Sequence, residues 1–238
     1  MDTTRLAELL RPYMAEAIPP PTLLEQLQRY LELLLRWNAR TNLTGVRDPE
    51  QIVVRHFGES LFAARALFPE QHEMRRNSIS AAKFWFHSDG EPEVRPENLL
   101  SPLTTLADVG SGAGFPGIPM KLYAPALDLT LIESRNKKTT FLREVIRTLG
   151  LDHTEVFCGR AEDWERKADL VTMRAVEQFE RALPVASGLV VRGGRLCLLI
   201  GTQQVATARR ILGAHWTWQN WNAVPQSSGR VVSIGCRL

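Results

Sequence analysis

The stretch from Leu106 to Pro119, LADVGSGAGFPGIP, places Gly110, Gly112, Gly114 and Gly117 within eight residues. An apolar run precedes it and a helix-like run follows. A glycine-rich turn between strand and helix brings backbone N–H groups to a helix N-terminus and lets a ligand approach closely. Gly112, Gly114 and Gly117 also spell G-x-G-x-x-G, the dinucleotide fingerprint. Two details argue against a dinucleotide. Pro116 and Pro119 have no N–H to offer a pyrophosphate. Asp108, at the strand end, repels phosphate and can hold a cation. S-adenosylmethionine carries an ammonium and a sulfonium and no phosphate, so it suits such a loop. A ribose-binding acid is expected after the next strand, about 20 residues on, and Glu133 in LTLIE stands there. In CGRAEDW, Ala161 and Glu162 follow the third strand, where they can meet an adenine edge. The structural alternative is that Glu162 only favours the start of a short helix.

Working outward from the loop, the chain after Leu103 alternates strand and helix. Strands are expected at 105–109, 128–133, 154–158, 169–173, 194–200, 214–221 and 230–236, with helix-like stretches between the first six. This is the βαβ pattern of a mostly parallel sheet covered on both faces. The last two strands are joined by NAVPQSSG, too short for a crossover helix. They should form an antiparallel hairpin at the sheet edge. The expectation is a Rossmann-like α/β fold with seven strands.

Residues 3 to 68 read as helical. Leucines at 23, 24, 27, 31, 34 and 35 make an apolar stripe at helical spacing. Pro19, Pro20 and Pro21 precede it, with Thr22 as its expected cap. Asp48 and Pro49 read as the N-cap and first residue of a further helix. From 71 to 102 the pattern fails, apart from the aromatic patch Lys83–His87. The organisation expected is a helical extension over 1–70, an irregular insertion over 71–102 and a core over 103–238, in one compact unit.

The 238 residues are 44% hydrophobic and 23% charged, with a formal net charge of +3. The isoelectric point, about 8.9, permits a phosphate-rich partner without demanding one. No apolar run approaches the ~20 residues needed to cross a bilayer. The N-terminus lacks a signal-peptide core, so the cytoplasm is the expected location. Cys158, Cys197 and Cys236 are far apart, and neither they nor His56, His72, His87, His153 and His215 show ligand spacing. No metal site is expected.

Seven segments together resemble one known family: RWNARTNLTGV, RHFGESL, DVGSGAGFPGIPMK, LIESRNKKTTFLREV, GRAEDW, DLVTMRAV and GGRLCLLIG. It is the bacterial methyltransferase family that modifies N7 of one guanine in 16S ribosomal RNA, also called glucose-inhibited division protein B. The segments run over most of the chain in the family's order. The resemblance implies the class I methyltransferase fold, S-adenosylmethionine as donor, and 16S ribosomal RNA or a small-subunit particle as partner. It implies donor contacts at Gly110, Phe115, Ala161, Glu162 and Arg174, beside Asp108, Gly112, Gly114 and Glu133 from the loop and the next strand. Three departures stand out. The segment before LADVG is longer than usual. Glu59 replaces a common aspartate. Ile200 stands where a lysine is often found, so another cation must act there or none does.

Guanine N7 has an in-plane lone pair and no proton, so no general base is required and none is expected. Arg174 alone is a candidate at the reacting end. The structural alternative for it is an ion pair. Arg135, Lys137, Lys138 and Arg143 follow Glu133 and suit RNA phosphates, although Arg143 with Arg147 also reads as a solvated helix face. Arg36, Arg40, Arg47 and Arg55 add cations in the extension. Asn38, Asn42, Thr44 and His56 either touch RNA or brace the extension through buried hydrogen bonds, and the second reading is preferred. Trp216 and Trp218 share one strand face and should pack in the core. A monomer is expected. The competing readings are a methyltransferase for a small molecule or protein, a nicotinamide oxidoreductase and a non-catalytic RNA-binding protein.

Overall fold

The computed structural model describes residues 1–15, 19–69, 104–175 and 178–238. The insertion expected over 71–102, with its aromatic patch, lies outside them. Helix α1 spans Thr3–Leu10 and is capped by Asp2, whose carboxylate accepts from the Arg5 amide. Helix α2 spans Pro21–Thr41. It begins on Pro21, so Thr22 lies inside its first turn instead of capping it. A proline at the first position gives up an N–H that has no helical partner anyway. The leucine stripe is buried as its spacing requires, except for the half-buried Leu35, and Tyr30 joins it. Asn42 ends α2 in the left-handed conformation at φ 48°, which asparagine tolerates better than most residues.

Asp48 caps the next helix, as its sequence predicts, by accepting from the Gln51 amide. This helix is continuous through α3 (Pro49–Ile52), a π-helical segment (Val53–Gly58) and α4 (Glu59–Leu67). The core then follows as β1 (Thr105–Val109), α5 (Gly117–Tyr123), β2 (Asp128–Glu133), α6 (Asn136–Leu149) and β3 (Thr154–Cys158). After these come β4 (Ala168–Arg174), α7 (Phe179–Gly188), β5 (Val190–Gly201) and α8 (Thr202–Leu212). The chain ends with β6 (Trp216–Trp218), β7 (Asn222–Ala223) and β8 (Arg230–Arg237).

The sheet order is β3-β2-β1-β4-β5-β8-β6, with β7 paired to β8. Strands β1 to β5 run parallel, and β8 is antiparallel to β5, β6 and β7. The winding reverses between β1 and β4, and a crevice opens at the carboxyl ends of the strands there. The terminal hairpin is present, but the strand expected over 214–221 is confined to Trp216–Trp218. The short β7 falls in the stretch expected to be only a connection, so among the described residues the sheet has eight strands where seven were expected. A 3-10 turn, Ala161–Asp163, stands where a helix was expected between β3 and β4.

Side chains alternate along each strand, and the two faces bury two different cores. Leu106, Leu170, Cys197 and Leu199 face α5, α6 and the N-terminal helices. Ala107, Val171, Leu196, Leu198 and Ile200 face α7 and α8. One apolar layer therefore holds residues of both the extension and the sheet. Trp216 packs beside Trp218 with ring centroids 6.3 Å apart, and Gly235 lies beneath both rings. Among the described residues no helix is long and apolar enough to cross a membrane.

Candidate active site

The glycine loop turns back on its own strands. The amides of Gly110 and Ser111 donate to the Ile132 oxygen at 2.9 and 3.0 Å, and those of Gly114 and Phe115 donate to Ser111. The Gly112 amide donates to Glu133 Oε2 at 3.0 Å, and that of Gly117 to Asp108 Oδ2 at 3.1 Å. Six loop donors are thus engaged inside the protein. With Pro116 ending the turn and Pro119 in the first turn of α5, the loop has no fan of N–H groups for a pyrophosphate.

Glu133 ends β2 with both oxygens held by backbone, since its Oε1 accepts from the Arg135 amide at 2.8 Å. The carboxylate forms one wall of a cavity of about 340 Å³, with Val109, Gly110, Ser134, Ala161, Glu162 and Ala182 among the other walls. That volume is within the usual range for a small-molecule site. A further recess of about 270 Å³ continues past Arg160, Glu162, Gln178 and Arg181. Of the expected donor residues, Gly110, Glu133, Ala161 and Glu162 meet at this cavity. Gly112 lies just behind, as the group that fixes Glu133.

The remaining candidates sit elsewhere. Asp108 is fully buried. Its Oδ1 accepts from the Thr172 hydroxyl at 2.7 Å and its Oδ2 from Gly117. Burial pushes its pKa up to about 6, against the pull of these bonds. It supports the loop from beneath and does not line the cavity, so its carboxylate is not placed to hold a cationic donor. Gly117 is needed for this packing, because a Cβ there would lie 2.8 Å from both Asp108 Oδ2 and Leu131. Gly114 likewise makes room for Tyr30 and Ile118, not for a ligand. Phe115 is 7% exposed and stacks on His56 and Tyr30, at centroid distances of 4.9 and 5.4 Å.

Arg174 ends β4 beside this aromatic stack, its guanidinium 6.0 Å from the Phe115 ring centre. It pairs with Glu59 at 3.2 Å, and Glu59 also pairs with Arg230 at 2.9 Å. Neither Glu59 nor Arg230 was expected at the site from sequence. Glu59 had one legible signal: it lies on the helical stripe of Ala63 and Leu67, and a charge on a buried stripe needs a partner. Position 200 is apolar and 5% exposed. Arg230 pairs opposite Gly201 but projects from the other face, so it does not replace a lysine at 200.

The asparagine, threonine and histidine of the extension brace it. Asn38 Oδ1 accepts from the Thr44 amide at 2.9 Å, and Thr44 Oγ1 lies 2.8 Å from His56 Nε2. His56 Nδ1 lies 2.9 Å from Arg174 Nη2. A guanidinium only donates, so Nδ1 accepts and the ring proton must be on Nε2. Burial, then the Arg174, Arg55 and Arg230 charges, push the His56 pKa down to about 3. The unfolded chain protonates this ring near 6.5 and so binds the extra proton between the two values. Stability therefore falls as pH drops from about 6.5 toward 3. Asp108, with its raised pKa, acts in the opposite sense between about 6 and 4. Comparing the wild type with His56→Asn cancels the Asp108 contribution. The wild type should lose on the order of 2 kcal/mol more than the variant between pH 7 and pH 5, read from urea unfolding. Equal losses would show that His56 does not stay neutral.

Arg135, Lys137 and Arg143 are exposed on the first turns of α6, and Lys138 is half-buried. A Cβ at Gly112 would lie 3.8 Å from Lys138 Nζ, which puts this cation beside the glycine loop.

A sheet of this order, with a glycine loop after β1 and an acid at the end of β2, defines a class I methyltransferase. The family described as rRNA small subunit methyltransferase G matches residues 23–75 and 96–218. The ribosomal RNA small subunit methyltransferase G of Streptococcus thermophilus is 32% identical over 222 residues, covering 88% of this chain and 81% of the relative. That of Stenotrophomonas maltophilia is 36% identical over 187 residues, covering 78% and 70%. The chain belongs to the rRNA small subunit methyltransferase G family.

Proposed function

We propose that this protein transfers a methyl group from S-adenosylmethionine to N7 of a guanine in 16S ribosomal RNA. The inward-turned loop amides carry the choice of donor, because they leave no row of free backbone N–H groups for a pyrophosphate and hold Glu133 on the cavity wall. When bound, S-adenosylmethionine supplies an electrophilic methyl group on a sulfonium. In this reading Glu133 accepts from ribose hydroxyls, and Ala161 and Glu162 meet the adenine edge. The chain has no proton to remove from N7, so its work is to hold the guanine in line with the methyl group and keep water away. The proposal needs no metal and no second subunit, and it places the protein in the cytoplasm. Its test is a map of N7-methylguanine in 16S RNA from cells with and without the gene. An unchanged map, or a methyl group at another atom, rejects it.

The RNA is expected to run over the start of α6. Lys137→Ala with Lys138→Ala should leave donor affinity nearly unchanged and reduce the slope of log affinity against log salt by up to roughly two. RNA binding measured from low to moderate salt checks this. A slope at the wild-type value would shift the RNA path to the arginines of the N-terminal helices.

A further inference from the structure

Arg174 Nη2 donates to the Arg55 backbone oxygen at 2.6 Å, to His56 Nδ1 at 2.9 Å and to Glu59 Oε2 at 3.2 Å. All three acceptors come from the π-helical segment of the extension and the residue just after it. An amino group has two hydrogens, so three acceptors saturate it. Among the described residues nothing accepts from Arg174 Nε or Nη1. The side chain is nonetheless only 9% exposed. Arginine keeps its charge under these conditions, and neither nitrogen is among the fully enclosed side-chain atoms left without a partner, so both donors reach solvent and are open to a ligand. The charge balance points the same way. Arg174 and Arg230 share one carboxylate, Glu59, which is 3% exposed. His56 contributes a lone pair and no charge. Arg55 adds a third cation and the buried Asp108 a second carboxylate, so three cations face two carboxylates and a positive surplus remains at the end of β4, where an anionic acceptor fits.

We propose that Glu59 and His56 are positioning residues that saturate Nη2 of Arg174 and so turn its Nε and Nη1 hydrogens to the carboxylate of the bound methyl donor. The N-terminal extension is then part of the donor site, although none of its side chains touches the donor. Glu59 acts from 115 residues away in sequence. The inference rests on S-adenosylmethionine being the donor.

The test is calorimetric titration of S-adenosylmethionine into the full chain. Glu59→Gln should weaken binding about tenfold while the protein still melts cooperatively, and Glu59→Asp should recover most of the loss. Arg174→Ala should weaken binding at least as much. Adding Glu59→Gln to Arg174→Ala should then cost nothing further, because residues that act through one another are not additive. A purely structural carboxylate would not move the affinity of the folded protein. A loss under about threefold for Glu59→Gln, or the same loss with and without Arg174, overturns the proposal. So does unchanged donor affinity with a raised KM for RNA. If Glu59→Gln fails to fold, His56→Ala enters the same cycle with the same expected non-additivity and the same thresholds. A wild type that binds no S-adenosylmethionine overturns the donor reading, and this inference with it. A wild type that binds, with variants that do not differ from it, overturns this inference alone.

Discussion

Glu133→Ala is expected to weaken S-adenosylmethionine binding by about 100-fold, read by calorimetric titration. The carboxylate is 6% exposed and lies on the cavity wall with each oxygen already holding one backbone amide, those of Gly112 and Arg135. A carboxylate oxygen has more than one lone-pair site, so ribose hydroxyls can be accepted without breaking these bonds. Hydrogen bonds to a charged group are worth roughly 1.5–3 kcal/mol each, and about 2.7 kcal/mol is a factor of 100. The alanine variant also frees the Gly112 amide and with it the middle of the loop. Glu133→Gln should fall between the two, because its amide keeps one acceptor but turns a donor toward one backbone N–H. Affinity within fivefold of wild type in a folded alanine variant would show that the cavity is not the donor's place.

Glu133 was legible because the signals that reveal it are local. A strand ends, a loop of fixed spacing follows, and the carboxyl ends of neighbouring strands must share one edge. Ala161 and Glu162 follow from the same rule. Asp108 was visible as a carboxylate, but its partners were not. The Thr172 hydroxyl comes beside it only through the register of β1 on β4, in which the two residues pair. Arg174 shows the same limit. Its place at the end of a strand can be read from the alternation of DLVTMR, whereas Arg55, His56 and Glu59 reach it across more than 100 residues of chain. Gly114 misleads for a related reason. Its motif suggests room for a ligand, and the room is filled by Tyr30. Non-local packing is written in no single stretch of sequence, and here it decides which residues of a family motif face the cavity.

Tyr30→Ala is expected to destabilise the whole protein by about 3–5 kcal/mol, the usual cost of truncating a large buried aromatic side chain. Tyr30 is 0% exposed in the middle of α2. Its ring stacks on Phe57 at 5.3 Å, Phe115 at 5.4 Å and Phe141 at 6.4 Å between centroids. Those three rings belong to the π-helical segment, the glycine loop and α6. The hydroxyl donates to the Ala113 backbone oxygen inside the loop, so Tyr30 joins the extension to the donor site by packing and by a hydrogen bond. Two variants separate these contributions. Tyr30→Phe keeps the ring and loses the bond, at about 1 kcal/mol, and the loosened loop should lower donor affinity more than that small loss of stability suggests. Tyr30→Ala also loses the stack. A domain's stability is commonly about 5–15 kcal/mol, so the alanine variant spends a large part of it. Urea unfolding followed by tryptophan fluorescence and by circular dichroism should show one shifted transition by both probes. Two separated transitions, or a shift below about 1 kcal/mol, would mean that the helices of the extension pack as an independent layer. The aromatic stack would then not carry their hold on the glycine loop.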